Sequence, residues 1–281
     1  MFKAVHEDPN QLIKIFDAIA TMINDATLNV SKAGVSIRAM DPTHVAMIDL
    51  ELPKEAFKSL ECDRTTPIRI NLPDLNRFMK RGVGSEAIEF DLDETQNKFK
   101  ILFRKGKSRR TFKLGLLAEG MEEKEPPNPT LDLNAKFNIK TDDFQRAIKD
   151  ALLVGDFVTF SLVKNELKLD AGGTESGDVS IIFEDIQGEK TDVEETGMYS
   201  LEFLDYIIKA GSVCNEVNIE FASEMPIKFD FNINPGRITY LLAPRVETEE
   251  EDGENIISQE DDVALEENDE ESFDEPFEDD Q

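Results

Sequence analysis

The 281 residues predict an α+β fold built from two similar halves. Short amphipathic helices and alternating strands follow one another in the same order twice. A stretch of 22 residues, Asn71 to Leu92, aligns without a gap onto Ser200 to Phe221, so that Leu75 meets Leu204, Lys80 meets Lys209, Gly82 meets Gly211 and Phe90 meets Ile219. Between the halves runs a strap, EGMEEKEPPNPTLDLN, where Pro126, Pro127 and Pro129 fix φ and remove backbone donors, so it neither continues a helix nor sits in a central strand. Leu131 and Leu133 alternate after the prolines, as in an extended crossing that rests apolar side chains on a surface. The expected division is a domain at 1–118, a connecting strap at 119–134, a domain at 135–247 and an acidic segment at 248–281.

In the first half, Phe2 to Val5 reads as a strand, and Pro9 opens a helix whose Leu12, Ile15, Phe16, Ile19, Met22 and Ile23 repeat at the spacing of one buried face. Thr27 to Val30 and Val35 to Met40 are strands around the turn Lys32-Ala33-Gly34. The turn MDPTHV leads into a strand over Val45 to Leu50, and a helical fragment is expected over Lys54 to Lys58. A strand over Ile68 to Asn71 precedes a helix burying Leu75, Phe78 and Met79. Ala87 to Leu92, Lys98 to Phe103 and Thr111 to Leu117 alternate as strands with one packed and one solvated face. The second half repeats this: a strand Phe137 to Lys140; a helix capped by Thr141-Asp142 that buries Phe144, Ala147, Ile148, Ala151 and Leu152; the hairpin Val158 to Leu162 and Glu166 to Asp170; a strand Asp178 to Ile186; a helix Leu201 to Ala210; and strands Glu216 to Phe221, Lys228 to Ile233 and Arg237 to Leu242.

The net charge of −29 is concentrated at one end: from Glu247 to Gln281 stand nineteen Asp or Glu and no Lys or Arg, leaving 41 acids against 31 bases before it, a net of −10. That acidic segment is too poor in apolar residues to fold on its own. The N-terminus does not resemble a signal peptide and no apolar run approaches membrane-spanning length, so the expected location is cytoplasmic, with the nucleoid in a prokaryote or the nucleus in a eukaryote. Cys62 and Cys214 are expected as reduced thiols. Two histidines without CxxC or HxxxH spacing give no support for a metal site, and no cofactor is expected.

Phasing the four helices at about 100° per residue on Leu12, Leu75, Phe144 and Leu204 places Lys14, Arg77, Arg146 and Tyr206 outward two residues on, and Asp17, Lys80, Lys149 and Lys209 outward five residues on. Six of these eight positions are basic in a chain with almost twice as many acids as bases. Cations without the Arg or Asn clusters of a major-groove reader, and without interleaved aromatics, fit non-specific contact with duplex phosphates.

The opening MF, the helix QLIKIFDAIATMIND, MDPTHV, Cys62-Asp63-Arg64, NLPDLNRFMKRG, DFQRAIKDALLVGD, MPIKF and the final TYLLAPRVE together resemble the DNA sliding clamps of the proliferating cell nuclear antigen family. The resemblance covers residues 1 to about 246, and the proline-bearing strap is closer to the archaeal branch. It implies a ring of three identical chains closed head to tail, helices inside and antiparallel sheets outside, encircling double-stranded DNA. Lys14, Arg77, Lys80, Arg81, Arg146, Lys149 and Lys209 then face DNA, with Asp17 and Ala20 weakening the first helix's contribution to that contact.

The same resemblance implies subunit contacts between the edge strand Arg109 to Leu117, with Arg109, Arg110, Phe112 and Leu114, and an edge at Gly177 to Ile186, with Asp178, Ile181, Phe183 and Asp185. Lys105, Lys107, Arg109 and Arg110 flank one edge; Asp178, Glu184 and Asp185 flank the other. It further implies an outer pocket from Met40, His44, Val45, Leu131, Pro226, Leu241, Ala243, Pro244 and Val246. There a DNA polymerase, clamp loader, nuclease or ligase inserts a short motif with an apolar residue and paired aromatics. No membrane partner is implied.

An enzyme is the rival class, but GxGxxG, GKS/T, GxSxG and HExxH are all missing, so no catalytic residue is expected. An acidic chaperone of histones or other nucleic-acid-bound proteins would account for the acidic end but not for the shared basic phase of the helices.

Overall fold

A computed structural model describes residues 1–245 except 85, 119–125, 128, 165, 175–176, 185 and 190; at 174, 187, 189 and 191–193 it describes the backbone alone. The acidic segment expected not to fold lies outside the described residues. In the first half the elements are β1 (Phe2–His6), α1 (Pro9–Ala20), β2 (Asp25–Ser31), β3 (Gly34–Met40), β4 (Ala46–Pro53), β5 (Ser59–Cys62), β6 (Thr66–Asn71), α2 (Leu72–Met79), β7 (Ala87–Asp93), β8 (Lys98–Lys105) and β9 (Ser108–Gly115). In the second they are β10 (Ala135–Lys140), α3 (Thr141–Ala151), β11 (Phe157–Lys164), β12 (Glu166–Thr174), β13 (Gly177–Phe183), β14 (Gln187–Glu189), β15 (Thr191–Ser200), α4 (Leu201–Ile207), β16 (Glu216–Phe221), β17 (Ile227–Asn232) and β18 (Arg237–Leu242).

The described strands form sheets in the orders β5-β1-β7-β8-β9, β14-β10-β16-β17-β18-β4-β3-β2-β6 and β13-β12-β11-β15. These orders contain one plan twice: β5-β1-β7-β8-β9 repeats as β14-β10-β16-β17-β18, and β6-β2-β3-β4 repeats as β15-β11-β12-β13. The halves join where β18 pairs antiparallel with β4, Tyr240 opposite Ile48 and Arg237 opposite Glu51. The counterparts of those two strands, β9 and β13, each end a sheet.

The joint is enclosed on one face and lined with ion pairs on the other. Ile238, Tyr240 and Leu242 of β18, and Ile48 and Leu50 of β4, are fully enclosed. On the other face, Arg38 Nη2 meets Asp49 Oδ2 at 2.6 Å, Arg237 Nη2 meets Glu51 Oε1 at 3.1 Å and Lys228 Nζ meets Asp230 Oδ2 at 2.7 Å. The Tyr240 hydroxyl lies in this joint without a hydrogen-bond partner among the described residues.

Local chemistry sets the helix ends. Asp8 accepts from the amides of Asn10 and Gln11 at the start of α1, and Asn71 accepts from Asp74 at the start of α2. The expected cap of α3 is corrected: Thr141 is already helical, Lys140 takes the cap position without a side-chain bond, and the Thr141 hydroxyl donates to the Cys214 carbonyl. Leu152 lies past the end of α3 and is 38% exposed, not in the core. The final helix is shorter than expected, α4 giving way to a 3-10 segment at Ile208–Val213.

The fragment over Lys54 to Lys58 reduces to a 3-10 turn at Lys54–Ala56. β5, β14 and β15 are additions, and the strand expected to reach Ile186 stops at Phe183. β9 stops at Gly115; beyond it Leu117 donates its amide to the Arg69 carbonyl.

Gly34 is required where it stands: at φ 149°, a Cβ would strike the Leu52 carbonyl across the β3–β4 pair. Among the described residues no helix is long and apolar enough to cross a membrane.

Candidate functional site

The helices lie in one layer. α1 packs on α2 at one side and on the segment Ile208–Val213 at the other, and that segment packs on α3. Lys14, Arg77, Lys80, Arg81, Arg146, Lys149 and Lys209 are all exposed. Lys14 Nζ donates to the Ser212 carbonyl at 3.2 Å, linking the first half's helix to the second half. Lys209 Nζ stands 5.2 Å over the Tyr206 ring, and Arg77 sits 5.5 Å over Phe78 while pairing with Asp74 at 2.9 Å. Arg146 has only a 3.7 Å contact with Asp143.

Asp17 was read as a local weakness of α1; its effect reaches further. Its carboxylate meets Lys80 Nζ at 2.5 Å and accepts from Asn76 at 2.9 Å. Burial alone would raise its pKa, but the bonds from Lys80 and Asn76 and the charge of Lys209 outweigh it and hold the carboxyl below its ordinary value. Lys80 is therefore engaged. Arg81 lies past the end of α2, its carbonyl accepting from Arg110 at 3.0 Å.

A second assembly surrounds the turn after β3. Asp41, 3% exposed, accepts from the amides of Thr43 (2.8 Å), Val45 (2.7 Å) and Ala46 (2.6 Å) and from the Thr43 hydroxyl. Burial works against its charge, and these donors outweigh burial, so its pKa is lowered. The folded turn holds His44 exposed at φ 59°, a left-handed conformation uncommon outside glycine but one that histidine adopts more readily than most residues.

Met40 pairs opposite Met47, which pairs opposite Leu241, and the Ala243 amide donates to the Val45 carbonyl at 2.9 Å. Met40, Val45, Leu241 and Ala243 are thus brought together by the β3-β4-β18 ladder. Leu131, Pro226 and Pro244 are half-buried. Val246 lies outside the described residues.

Sequence reasoning passed over Asp41, although an Asp two residues before Thr in a turn is a recognisable local acceptor. It also passed over Glu195 on β15, which no local pattern marks. Glu195 is 4% exposed and accepts from Asn134 Nδ2 (3.1 Å), the Ser223 amide (2.7 Å) and the Ser223 hydroxyl (2.8 Å).

The third arrangement is the pair of open edges. On β9, Phe112 and Leu114 face inward, Phe112 stacking on Phe78 at 5.3 Å. Arg109 is exposed, but Arg110 is engaged within the chain: it meets Glu86 at 2.6 Å and lies 5.3 Å over Phe103. On β13, Ile181 and Phe183 are half-buried and Ile182 is 50% exposed. Asp178 accepts from the Gly173 amide at 3.0 Å, where the pairing of β12 with β13 shifts register between Ala171 and Thr174. So Arg110 and Asp178, expected as free rim charges, both have partners at home. Asp185 lies outside the described residues. No group of three His, Cys, Asp or Glu suited to a metal occurs among the described residues.

These features define a class: a duplicated α+β chain with cationic helices on one side and antiparallel sheets on the other, in which the strands matching the inner joint, β9 and β13, each end a sheet. The family model for the proliferating cell nuclear antigen N-terminal domain matches residues 1–124, and that for its C-terminal domain matches residues 128–245. The chain belongs to the proliferating cell nuclear antigen family. It is 34% identical to a DNA polymerase sliding clamp of Pyrococcus abyssi, 33% to one of Thermococcus fumicolans and 30% to one of Nitrosopumilus maritimus, each alignment covering 88% of this chain and 99% of the relative. All three relatives are archaeal, in line with the reading of the strap.

Proposed function

We propose that this protein is a DNA sliding clamp: three copies close head to tail around duplex DNA and hold a DNA polymerase on its template. The observation that carries the reading is the unequal fate of one repeated joint. Inside the chain β18 pairs with β4, while their counterparts β9 and β13 end their sheets, so the same pairing between successive copies adds wedges by one repeated rotation until the ring closes. With two wedges per chain, three chains make a ring of six equal steps, and the domain division at 118, 134 and 247 belongs to this reading.

The repeat also specifies the register. Phe90 and Ile219 are matched, and their ladders run Phe90-Ile101-Phe112 and Ile219-Phe229-Tyr240, so Phe112 is to β9 what Tyr240 is to β18. In the same way Ile37-Leu50 matches Leu169-Ile181. Transferring the inner pairing sets Phe112 opposite Val179, Thr111 opposite Ser180, Arg110 opposite Ile181 and Lys113 opposite Asp178 of the next copy. Across the inner joint Gln11 Nε2 donates to the Ile233 carbonyl at 2.9 Å. The counterparts of that pair are Asp143 and Lys105, so the outer joint gains an opposite-charge pair there.

In the closed ring Lys14, Arg77, Arg146, Lys149 and Lys209 line the bore and touch phosphates loosely; topology, not affinity, keeps the ring on DNA. Outside, the Asp41 turn, the strap, the loop before β17 and the segment after β18 form a socket for short apolar motifs of polymerase, clamp loader, nuclease and ligase. The test is native mass with DNA retention: a mass of three chains, and retention on circular but not on linear duplex, are expected. A monomer, or equal retention on both, contradicts the reading.

A further inference from the structure

The socket of the preceding section is assembled from segments far apart in sequence, and β15 lies beside most of them. Glu195 on this strand accepts from Asn134 at the end of the strap and, with its other oxygen, from the amide and hydroxyl of Ser223 in the loop that carries Pro226. The Ser223 hydroxyl in turn accepts from the Thr196 amide at 3.0 Å. Further along, the Tyr199 hydroxyl donates to the Met225 carbonyl at 3.2 Å, and the Met198 carbonyl accepts from the Arg245 amide at 2.8 Å. One strand thus ties down the strap, the loop and the C-terminal segment, and the turn after β3 joins them through the Ala243 to Val45 bond.

Asp41 is buried within its own turn, whereas Glu195 is a buried charge whose partners lie on separate segments of this frame. A carboxylate that is 4% exposed is tolerated only when its oxygens are saturated by donors, and here the donors come from two different walls of the socket. Burial raises its pKa, and the bonds from Ser223 and Asn134 outweigh burial and lower it, so the group stays charged at neutral pH.

We infer that Glu195 is a positioning residue for partner binding: it clasps the strap bearing Leu131 to the loop bearing Pro226 and so fixes the width of the socket, without touching the partner itself. Resting on the socket reading above, the inference adds the device that holds the socket open at one size. Its removal frees three donors and lets strap and loop part, so the bound partner must then supply the ordering that the clasp provided.

The test measures, by calorimetry on the full chain, affinity for a synthetic peptide carrying an apolar residue followed by paired aromatics. Glu195→Ala is expected to weaken binding about tenfold, and Glu195→Gln, which keeps the shape and part of the acceptor capacity, less. Asn134→Ala and Ser223→Ala each weaken it in the Glu195 background but add nothing on top of Glu195→Ala, because they act through one shared carboxylate. That non-additivity separates positioning from general loss of stability, which lowers the melting temperature without following the cycle. Unchanged affinity in a folded Glu195→Ala protein, or full additivity of the three substitutions, overturns the clasp alone. A wild-type chain that ignores the peptide overturns the socket reading and the clasp with it.

Discussion

The inner joint, β18 on β4, and the two open strands, β9 and β13, are the same construction in two states. Where the pairing is made, Tyr240 and Ile48 are fully enclosed; at the open edges their counterparts Phe112 and Val179 are only half-buried. The difference teaches why β9 and β13 are the edges proposed to meet between copies: Phe112, Leu114, Val179, Ile181 and Phe183 each match a residue buried at the inner joint, Tyr240, Leu242, Ile48, Leu50 and Leu52. The charges at these edges are held within the chain: Arg110 folds back on Glu86, and Asp178 accepts from the Gly173 amide.

The strongest way to break this comparison is to charge the open edge. Val179→Asp sets an unpaired carboxylate opposite Phe112 of the next copy, and is expected to weaken assembly by about 3–5 kcal/mol, enough to shift native mass to the monomer at micromolar concentration while leaving the chain folded. A trimer of unchanged stability removes the proposed pairing.

Next come two carboxylates, one at the entry to β4 and one at the start of β13. Asp41, the first, gathers four donors, whereas the exposed Asp178, the second, takes one amide. Asp41→Ala should destabilise by about 2–4 kcal/mol and Asp178→Ala by under about 1, measured by urea unfolding at one protein concentration. Equal effects would mean that the two segments are not held by these bonds.

A smaller contrast lies within the joint. The Tyr240 hydroxyl has no partner among the described residues while its counterpart Phe112 has no hydroxyl, so Tyr240→Phe should be neutral or stabilising by up to about 1 kcal/mol. A loss of more than that reveals a hydrogen bond to the hydroxyl. Smallest in free energy is the contrast on the helices: Lys149 is free of acids among the described residues, whereas Lys80 is held by Asp17. Lys149→Ala should reduce the slope of log affinity against log salt for duplex DNA by about 0.9, Lys80→Ala should reduce it less, and Asp17→Asn should steepen it. Identical slopes for the two lysine variants contradict the pairing.

The elements that the sequence made legible are those with a local cause. Leu12, Ile15, Phe16 and Ile19 mark α1 by period, and the 22-residue repeat announced α2 and α4 in register. β5, only SLEC, is too short to alternate, and β15 hides because TDVEETGMYS carries acids and a glycine where apolar residues would signal a strand. The basic phase was legible because it follows from helix geometry alone, but the Lys80–Asp17 pair was not, since it depends on how α1 packs against α2. Glu195 was unreadable for the same reason: its partners lie 61 and 28 residues away.

The most direct measurement is a cross-link at the transferred register. With Cys62 and Cys214 replaced by Ser, Thr111→Cys and Ser180→Cys should oxidise between copies to a covalent closed trimer, because directly opposed strand residues bring their Cβ atoms within disulfide reach. Thr111→Cys with Ile181→Cys, off by one pair and pointing to opposite faces, should not. Equal cross-linking of both pairs, or of neither in a protein of trimer mass, contradicts the account.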